Sequence, residues 1–217
     1  MFYLIRNPFV FRQIYRKSLR WKVYASQNEV FLTFDDGPTP ELTQSILAIL
    51  KDYDAKATFF CVGENVKKHP ELFRQILDEG HTVGNHSFNH LNAWESEEDY
   101  FLENVEKAAE LIPSKLFRPP YGKITPNLIE KLKQKYKIVM WTVLSGDFDA
   151  DVNAKKCFEN ATRKTKSGDI IVFHDNVKAK ENVLEALPKT LAYFAEKGIM
   201  VNALPKKSFY LKSKDYT

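Results

Sequence analysis

Short apolar segments alternate along the chain with longer segments whose apolar residues recur at helical spacing. Seven of the short segments are rich in β-branched and aromatic residues, and we predict a strand in each of them: 30–34, 57–62, 81–84, 115–118, 138–143, 169–174 and 199–203. Because these segments are almost continuously apolar, they are typical of strands covered on both faces, as in a parallel sheet.

Helices are predicted between these strands. Residues 40–53 carry Leu42, Ile46 and Leu50 at helical spacing, and Gly80 follows the next helical segment as a stop signal. The predicted helices are 40–53, 70–79, 96–112, 125–136, 152–166 and 181–197. Strands that alternate with helices predict an α/β domain around a parallel sheet, either open or closed into a barrel.

The length of the chain bounds its domain organisation. Its 217 residues are enough for one domain with a substantial core, and we divide them into a basic N-terminal arm at 1–28, a main domain at 29–204 and a C-terminal tail at 205–217. The formal net charge of +4 is too small to indicate a nucleic-acid partner. Six of the basic side chains and no acidic one lie in residues 1–22, so the positive charge is concentrated at this end.

The basic arm is also apolar between its charges, which leaves two interpretations open. It either contacts an anionic membrane or envelope surface from the periphery, or packs on the main domain. We favour packing, because Phe, Ile and Tyr are core residues more often than anchors. Arg6 and Pro8 interrupt any signal-peptide core, and no uncharged stretch has the length of a bilayer span. We therefore recognise neither a signal peptide nor a transmembrane helix, and expect a cytoplasmic or envelope-associated location.

Polar side chains gather where the predicted strands end. Seven of them do so: Asp35, Asp36, His86, His90, Arg118, Asp147 and His174. The carboxyl ends of parallel strands face one rim of an α/β fold, and active sites form at that rim. We therefore expect these residues, scattered along the chain, to converge on one site.

A divalent metal would explain why Asp35 and Asp36 stand side by side. His86 and His90 are four residues apart, so in a helical turn both imidazoles would share a face and could bind one ion. Two His and one Asp make a hydrolase-type zinc set that leaves coordination open for water and substrate. With Asp36 as the third ligand, Asp35 remains as a base. The alternative is that Asp-Asp-Gly-Pro is a solvated turn, and the His spacing alone is weak evidence.

A second pair of residues suits acid chemistry. His174 follows an apolar run, where it is either a core histidine or a general acid. Asp147 could accept a hydrogen bond from one ring nitrogen and support the imidazolium, which favours the acid. Arg118 would hold Asp35 ionised and oriented, unless it makes an ordinary structural salt bridge.

Five motifs, in this order, resemble those of the polysaccharide deacetylases of carbohydrate esterase family 4. They are TFDDG at 33–37, HSFNH at 86–90, RPPYG at 118–122, SGDFD at 145–149 and VFH at 172–174. The resemblance implies a distorted (β/α) barrel with about seven parallel strands, and makes 29–204 the catalytic domain. It implies metal-dependent removal of acetyl groups, mainly N-acetyl, from a glycan such as peptidoglycan or a chitin-like polymer. The expected metal is zinc, with cobalt, nickel or another divalent ion as alternatives, and the expected partner is the acetylated glycan.

The resemblance also implies a role for each site residue. The implied metal ligands are Asp36, His86 and His90. The implied catalytic residues are Asp35 as general base, Arg118 as its partner, His174 as general acid, Asp147 as the partner of His174, and Tyr121, whose backbone N–H would bind the oxyanion. The residues expected to contact the substrate are Pro119, Tyr121, Trp141 and Phe148, although Trp141 is explained equally well as a core residue.

The fourth and fifth motifs depart from the family pattern. The fourth usually reads Asp-x-x-Asp-Trp, but here Leu144 replaces the first Asp and Phe148 the Trp, while Asp147 is retained. Val172 replaces the usual Leu in the fifth motif. The chemistry should therefore be intact, whereas the wall beside the sugar should differ. Two alternatives stay open: a metal-dependent amidohydrolase acting on a small non-sugar amide, and a catalytically silent carbohydrate-binding protein.

Overall fold

The computed structural model describes residues 5, 15, 18–25 and 27–205 of the chain. Within this part, nine strands form one sheet and pair in parallel throughout. In chain order they are β1 (Leu19–Arg20), β2 (Glu29–Asp35), β3 (Thr58–Cys61), β4 (Thr82–Asn85), β5 (Leu116–Phe117), β6 (Lys137–Val139), β7 (Val143–Leu144), β8 (Ile170–His174) and β9 (Met200–Asn202).

The order of the strands shows that the sheet curls on itself. The order is β1-β6-β5-β4-β3-β2-β8-β7, and β9 pairs with the first half of β2. β6 and β7 are far apart in this order, yet only residues 140–142 separate them along the chain. So short a connection spans at most about 14 Å, which brings the two ends of the sheet close together. The result is the distorted (β/α) barrel that the motifs implied.

Seven α-helices lie between the strands of the described chain. They are α1 (Leu42–Asp52), α2 (Gly63–Lys68), α3 (Pro70–Asp78), α4 (Glu98–Ala109), α5 (Pro126–Leu132), α6 (Ala154–Thr162) and α7 (Lys180–Glu196). Two of them begin at a side-chain cap: Thr125 accepts a hydrogen bond from the N–H of Leu128, and Asn153 from that of Lys156 at 2.9 Å. Such caps satisfy backbone donors that the first helical turn leaves without a partner.

The structure differs from the predicted elements in three places. The segment 138–143 is two strands, because residues 140–142 carry the chain from one end of the sheet to the other. The carbonyls of Val139 and Met140 at this crossing accept hydrogen bonds from Arg118, at 3.2 and 3.1 Å. The strand β1 and the helix α2 were not predicted, since two and six residues are too few to show a hydrophobic period. The sheet therefore has nine strands instead of seven.

The described part of the predicted N-terminal arm joins the sheet. Leu19 is buried and pairs with Ile138, and the N–H of Leu144 donates to the carbonyl of Ile5 at 2.9 Å. Among the described residues, no helix has the length and apolarity needed to cross a membrane. The rest of the arm, at 1–4, 6–14, 16–17 and 26, and residues 206–217 of the tail lie outside the described residues. The boundaries of arm and tail therefore stay predictions.

Strand β2 connects the core to the site. On one face, the ring of Phe34 lies 5.0 Å from that of Phe59 and 6.3 Å from that of Phe173, and all three side chains are buried. Alternate residues of a strand point to opposite faces, so Thr33 and Asp35 point the other way, where Arg118 bonds to both. The packing that fixes Phe34 therefore also fixes the direction of Asp35.

The sheet register brings the site residues to one rim. Asp35 and His174 are the last residues of β2 and β8, and they are paired in register. Asn85 pairs with Phe117 at the ends of β4 and β5, so His86 and Arg118 leave the sheet side by side. The convergence expected from the sequence thus follows from parallel pairing alone.

We expect the substitution Phe34→Ala to destabilise the protein by about 3–5 kcal/mol, the usual loss for a buried aromatic side chain. The cause is the removal of its contacts with Phe59 and Phe173 together with the cavity left behind. Guanidinium unfolding measures the change. The control is Val177→Ala at a side chain that is 76% exposed, which should change stability by no more than about 0.5 kcal/mol. Equal stability of the two variants would contradict this account of the core.

Candidate active site

The side chains of Asp36, His86 and His90 lie close enough together to hold one metal ion, and we call them the metal-binding group. Oδ1 of Asp36 lies 3.4 Å from Nε2 of His86 and 3.0 Å from Nε2 of His90. One ligand atom from each residue lies within 4.8 Å of the other two. Asp36 comes from the end of β2, and the two histidines from the segment that follows β4. The structure thus brings together the three residues that the motifs implied as ligands.

The two histidines do not share a helical turn, contrary to the expectation from their spacing. Residues 86–90 form an irregular loop in which Ser87 and His90 adopt left-handed backbone conformations, with φ of 63° and 57°. Side chains hold this loop: Asn85 accepts from the N–H of Ser87, and Asn104 from that of Phe88, both at 2.8 Å. The imidazoles meet because the loop folds back, with ring centroids 5.0 Å apart.

The histidine tautomer fits a cation at this position. Nδ1 of His86 lies 2.7 Å from the carbonyl oxygen of Arg118. A carbonyl can only accept, so Nδ1 carries the proton and the lone pair of Nε2 faces Asp36. A lone pair and a carboxylate facing each other are stabilised by a divalent ion between them. Burial by itself would raise the pKa of Asp36, but the nearby histidines His86, His90 and His174 bring that pKa well below its usual value, so the carboxylate is ionised.

Arg118 holds Asp35 in a buried ion pair. Its guanidinium is fully buried, donates to Oδ1 of Asp35 at 2.6 Å, and donates to Thr33 at 2.8 Å. The flat face lies 4.1 Å from the ring centre of Phe60. Burial lowers the pKa of Arg118 and the charge of Asp35 opposes this change, and arginine keeps its proton at neutral pH. The pair therefore places a positive charge beside the Asp35 carboxylate and fixes its direction.

His174 and Asp147 form the second ion pair of the rim. Nδ1 of His174 lies 2.8 Å from Oδ1 of Asp147, and the backbone N–H of His174 donates to the other carboxylate oxygen at 2.7 Å. Asp147 is fully buried and also accepts from Ser145 at 2.9 Å. Burial by itself would lower the pKa of His174, but the charge and hydrogen bond of Asp147 raise it to about 9. His174 is therefore protonated at neutral pH.

The residues expected to contact the substrate differ in exposure. Tyr121 is half exposed, has a φ of 60°, and places its ring 4.6 Å from that of His90. Phe148 lies edge-on to His174 at 4.9 Å, where the usual family pattern has Trp. Trp141 packs against Gly122, where an added Cβ would lie 2.4 Å from the indole, while Pro119 is buried. Tyr121 thus offers the most open surface of the four.

Sequence reasoning missed three residues at this rim. Asn176 donates to Oδ2 of Asp36 at 2.6 Å, and Asp175 accepts from the N–H of Gly37 at 2.8 Å. Both follow His174 directly, and their position after the end of a strand was a usable signal.

Trp94 is 64% exposed beside Lys123, whose Nζ lies 5.3 Å from the centre of the indole. The sequence held no signal for Trp94, because its loop returns to the rim only in the folded chain.

Comparison with known proteins identifies the family. The family model described as polysaccharide deacetylase matches residues 22–138, and this range includes the first three motifs. The chain belongs to the polysaccharide deacetylase family. The match covers more than half of the chain, and the metal-binding group and the Asp35–Arg118 pair lie inside it. The last two motifs, which supply Asp147 and His174, lie beyond the match.

Named members of the family resemble most of the chain. A peptidoglycan-N-acetylglucosamine deacetylase of Bacillus cereus is 32% identical over 82% of this chain and 87% of its own length. A chitooligosaccharide deacetylase of Azorhizobium caulinodans is 30% identical over 74% of this chain and 80% of its own length. Among solved structures, a peptidoglycan N-acetylglucosamine deacetylase in complex with 4-naphthalen-1-yl-N-oxidanyl-benzamide covers 96% of this chain and 100% of its own, with a TM-score of 0.85 and 31% identity.

We expect His174 of the metal-free protein to titrate near pH 9 when its ring signals are followed by NMR. Because folding raises this pKa above the ordinary value of 6.5, the pair with Asp147 stabilises the fold fully below pH 6.5, and this contribution is lost as pH rises through about 9. In Asp147→Asn the pKa should fall well below that of the wild type, since burial then opposes only the charges of Asp36 and Asp35. His81 is the internal control, because burial and Lys56 lower its pKa to about 4. A titration of His174 near or below pH 6.5 in the wild type would contradict the ion pair.

Proposed function

We propose that this polysaccharide deacetylase removes N-acetyl groups from a glycan containing N-acetylglucosamine, such as peptidoglycan, at the cell envelope. The observation that carries the proposal is the placement of three groups on one rim. A metal-binding group, a carboxylate held by Arg118 and a protonated histidine held by Asp147 lie at neighbouring strand ends. Each group can assist one part of amide hydrolysis: polarisation of the carbonyl, removal of a proton from water and protonation of the leaving amine.

Asp36, His86 and His90 would hold the metal, and zinc is the ion that best suits their chemistry. Two imidazole nitrogens and one carboxylate oxygen are a typical set of protein ligands in catalytic zinc sites. When bound, a zinc ion polarises a carbonyl group and lowers the pKa of water. Tyr121 lies beside His90 and is exposed, so the glycan can approach from solvent.

Asp35 is the proposed general base. Its Oδ1 accepts a hydrogen bond from Arg118, which fixes the direction of the carboxylate. Water attacks the acetyl carbonyl carbon while Asp35 accepts one of its protons, and the carbonyl oxygen gains the negative charge. The backbone N–H of Tyr121 is the proposed donor to that oxygen. A donor of this kind contributes about a hundredfold or more to the rate.

His174 is the proposed general acid. Since Nδ1 is engaged by Asp147, Nε2 is the nitrogen that can give its proton to the leaving nitrogen. The tetrahedral species then collapses, the bond between carbon and nitrogen breaks, and the products are acetate and a free amine. Asp147 stabilises the imidazolium before this step and orients the ring throughout, which is the arrangement an acid of this kind needs.

The substrate class is supported by the relatives and by the surface beside the metal-binding group. The two named relatives act on peptidoglycan and on chitooligosaccharides, which share N-acetylglucosamine. Tyr121 lies next to His90, and Nζ of Lys123 lies 5.9 Å from its ring centre and 5.3 Å from that of Trp94, so two exposed aromatic rings lie near this lysine. Exposed aromatic faces suit the apolar faces of sugar rings. A small non-sugar amide would use little of this open surface.

We expect Asp35→Asn and His174→Ala each to reduce acetate release by about a hundredfold or more, because one removes the base and the other the acid. The assay compares peptidoglycan, N-acetylglucosamine oligomers and acetylated xylan as substrates. Zinc content is measured in the same samples and should stay at the wild-type level, since neither residue belongs to the metal-binding group. His69→Ala is the matched control for the histidine variant, and should keep full activity.

Two results would oppose the proposal. Substantial turnover by either variant with zinc in place would refute the assigned role of that residue. Release of acetate from none of the glycans by zinc-loaded wild type would refute the enzymatic function itself, and would favour a silent carbohydrate-binding protein.

A further inference from the structure

The carboxylate of Asp36 has two oxygens with different partners. Oδ1 is the oxygen near both imidazoles, at 3.4 Å from His86 and 3.0 Å from His90. Oδ2 accepts a hydrogen bond of 2.6 Å from Nδ2 of Asn176. The last torsion of an aspartate side chain has a broad, shallow preference, so a partner on one oxygen decides where the other points. In this site that partner is Asn176.

The backbone of Asp36 is held by other groups. Its N–H donates to the carbonyl of Phe60 at 3.2 Å, and its carbonyl accepts from the side chain of Asn65 at 2.8 Å. Neither contact reaches the carboxylate. The position of the backbone and the direction of the carboxylate are therefore controlled separately, and Asn176 acts on the direction.

The amide of Asn176 is itself fixed in one orientation. Its Oδ1 accepts from the N–H of Ala179 at 3.0 Å and caps the short 3₁₀ turn that precedes α7. An N–H must face the amide oxygen, so the amide nitrogen is the end directed at Asp36. Asp175, one residue earlier, ties the same segment to β2, because its N–H donates to the carbonyl of Asp35 at 3.0 Å. Both the oxygen and the nitrogen of the Asn176 amide are thus hydrogen-bonded, and the segment that carries it is bonded to β2.

We propose that Asn176 is a positioning residue for the metal ion, acting through Asp36. It occupies Oδ2, leaves Oδ1 as the single oxygen turned towards Nε2 of both histidines, and so arranges the three ligands before the ion arrives. This inference rests on the metal-binding group of the proposed function. Partners of this kind typically change metal affinity by about ten- to a hundredfold. The competing explanation is that Asn176 only caps the turn before α7.

The substitution Asn176→Ser separates the two roles. Serine caps helices about as well as asparagine, but its shorter side chain cannot also reach Asp36. Asn153→Ser is the matched control, because Asn153 accepts from the N–H of Lys156 at 2.9 Å as the cap of α6 and lies away from the metal-binding group. The same chemical change is thus made at two caps, only one of which contacts a ligand.

The readout is the zinc dissociation constant, measured by calorimetric titration of the metal-free protein in competition with a chelator. We expect Asn176→Ser to bind zinc about ten- to a hundredfold more weakly than wild type, and Asn153→Ser to bind it like wild type. Acetate release by Asn176→Ser should rise towards the wild-type rate as zinc is added. Asp35→Asn should not recover in this way, since it loses the base and not the ion.

The other outcomes overturn the inference. Equal zinc affinity in wild type and Asn176→Ser would leave only the capping role. A weaker affinity accompanied by a lower melting temperature of the metal-free protein, beyond that of Asn153→Ser, would assign the effect to folding. A wild type that binds no zinc would refute the metal site of the proposed function, a failure distinct from the first two.

Discussion

The arrangement of the site depends on two neighbouring carboxylates at the end of β2, whose charges must be compensated. Asp35 and Asp36 are both drawn largely out of water, where like charges repel strongly and each needs its own cation. Arg118 supplies one cation at 2.6 Å from Asp35, and two imidazoles face Asp36 where a divalent ion would supply the other. In the proposed mechanism the two adjacent residues therefore differ in role: Asp35 accepts a proton from water, and Asp36 binds the metal.

The closeness of these carboxylates also explains two residues that take no part in the proposed reaction, Asp175 and Gly37. Burial, with the charges of Asp36 and Asp35, raises the pKa of Asp175 to about 7, although bonds from Thr43 and the N–H of Gly37 oppose the rise. An added Cβ at Gly37 would lie 1.8 Å from the Asp175 carboxylate, so only glycine allows this approach. The glycine that follows the two aspartates thus has a steric cause. A third carboxylate is tolerated beside the first two because the backbone and hydroxyl donors around it are fixed.

Much of this arrangement could be predicted from the sequence, because parallel strands impose it. Near-continuous apolar segments marked seven strands, and polar residues at their ends marked the rim. Local loop conformation was less accessible: the left-handed backbone of Ser87 and His90 depends on Asn85 and Asn104, one of which comes from α4. The strand β1 has two residues, too few to show a pattern by themselves. The position of Asn176 after β8 could have indicated that it lies at the rim, but not its proposed role, because a polar residue at such a position can serve several functions.

The fold sets the directions of the side chains in the site. Phe34 packs into the core and turns Asp35 inward, the register of β2 with β8 sets His174 beside it, and Arg118 links Asp35 to the crossing between β6 and β7. We propose that Asp36, and not Asp35, binds the metal, and anomalous diffraction from zinc-loaded crystals distinguishes the two. We expect one zinc peak about 2.0–2.2 Å from Oδ1 of Asp36 and from Nε2 of both histidines, with Asp35 still on Arg118. A peak bonded to Asp35, or an Asp36 turned away from the histidines, would refute the assignment.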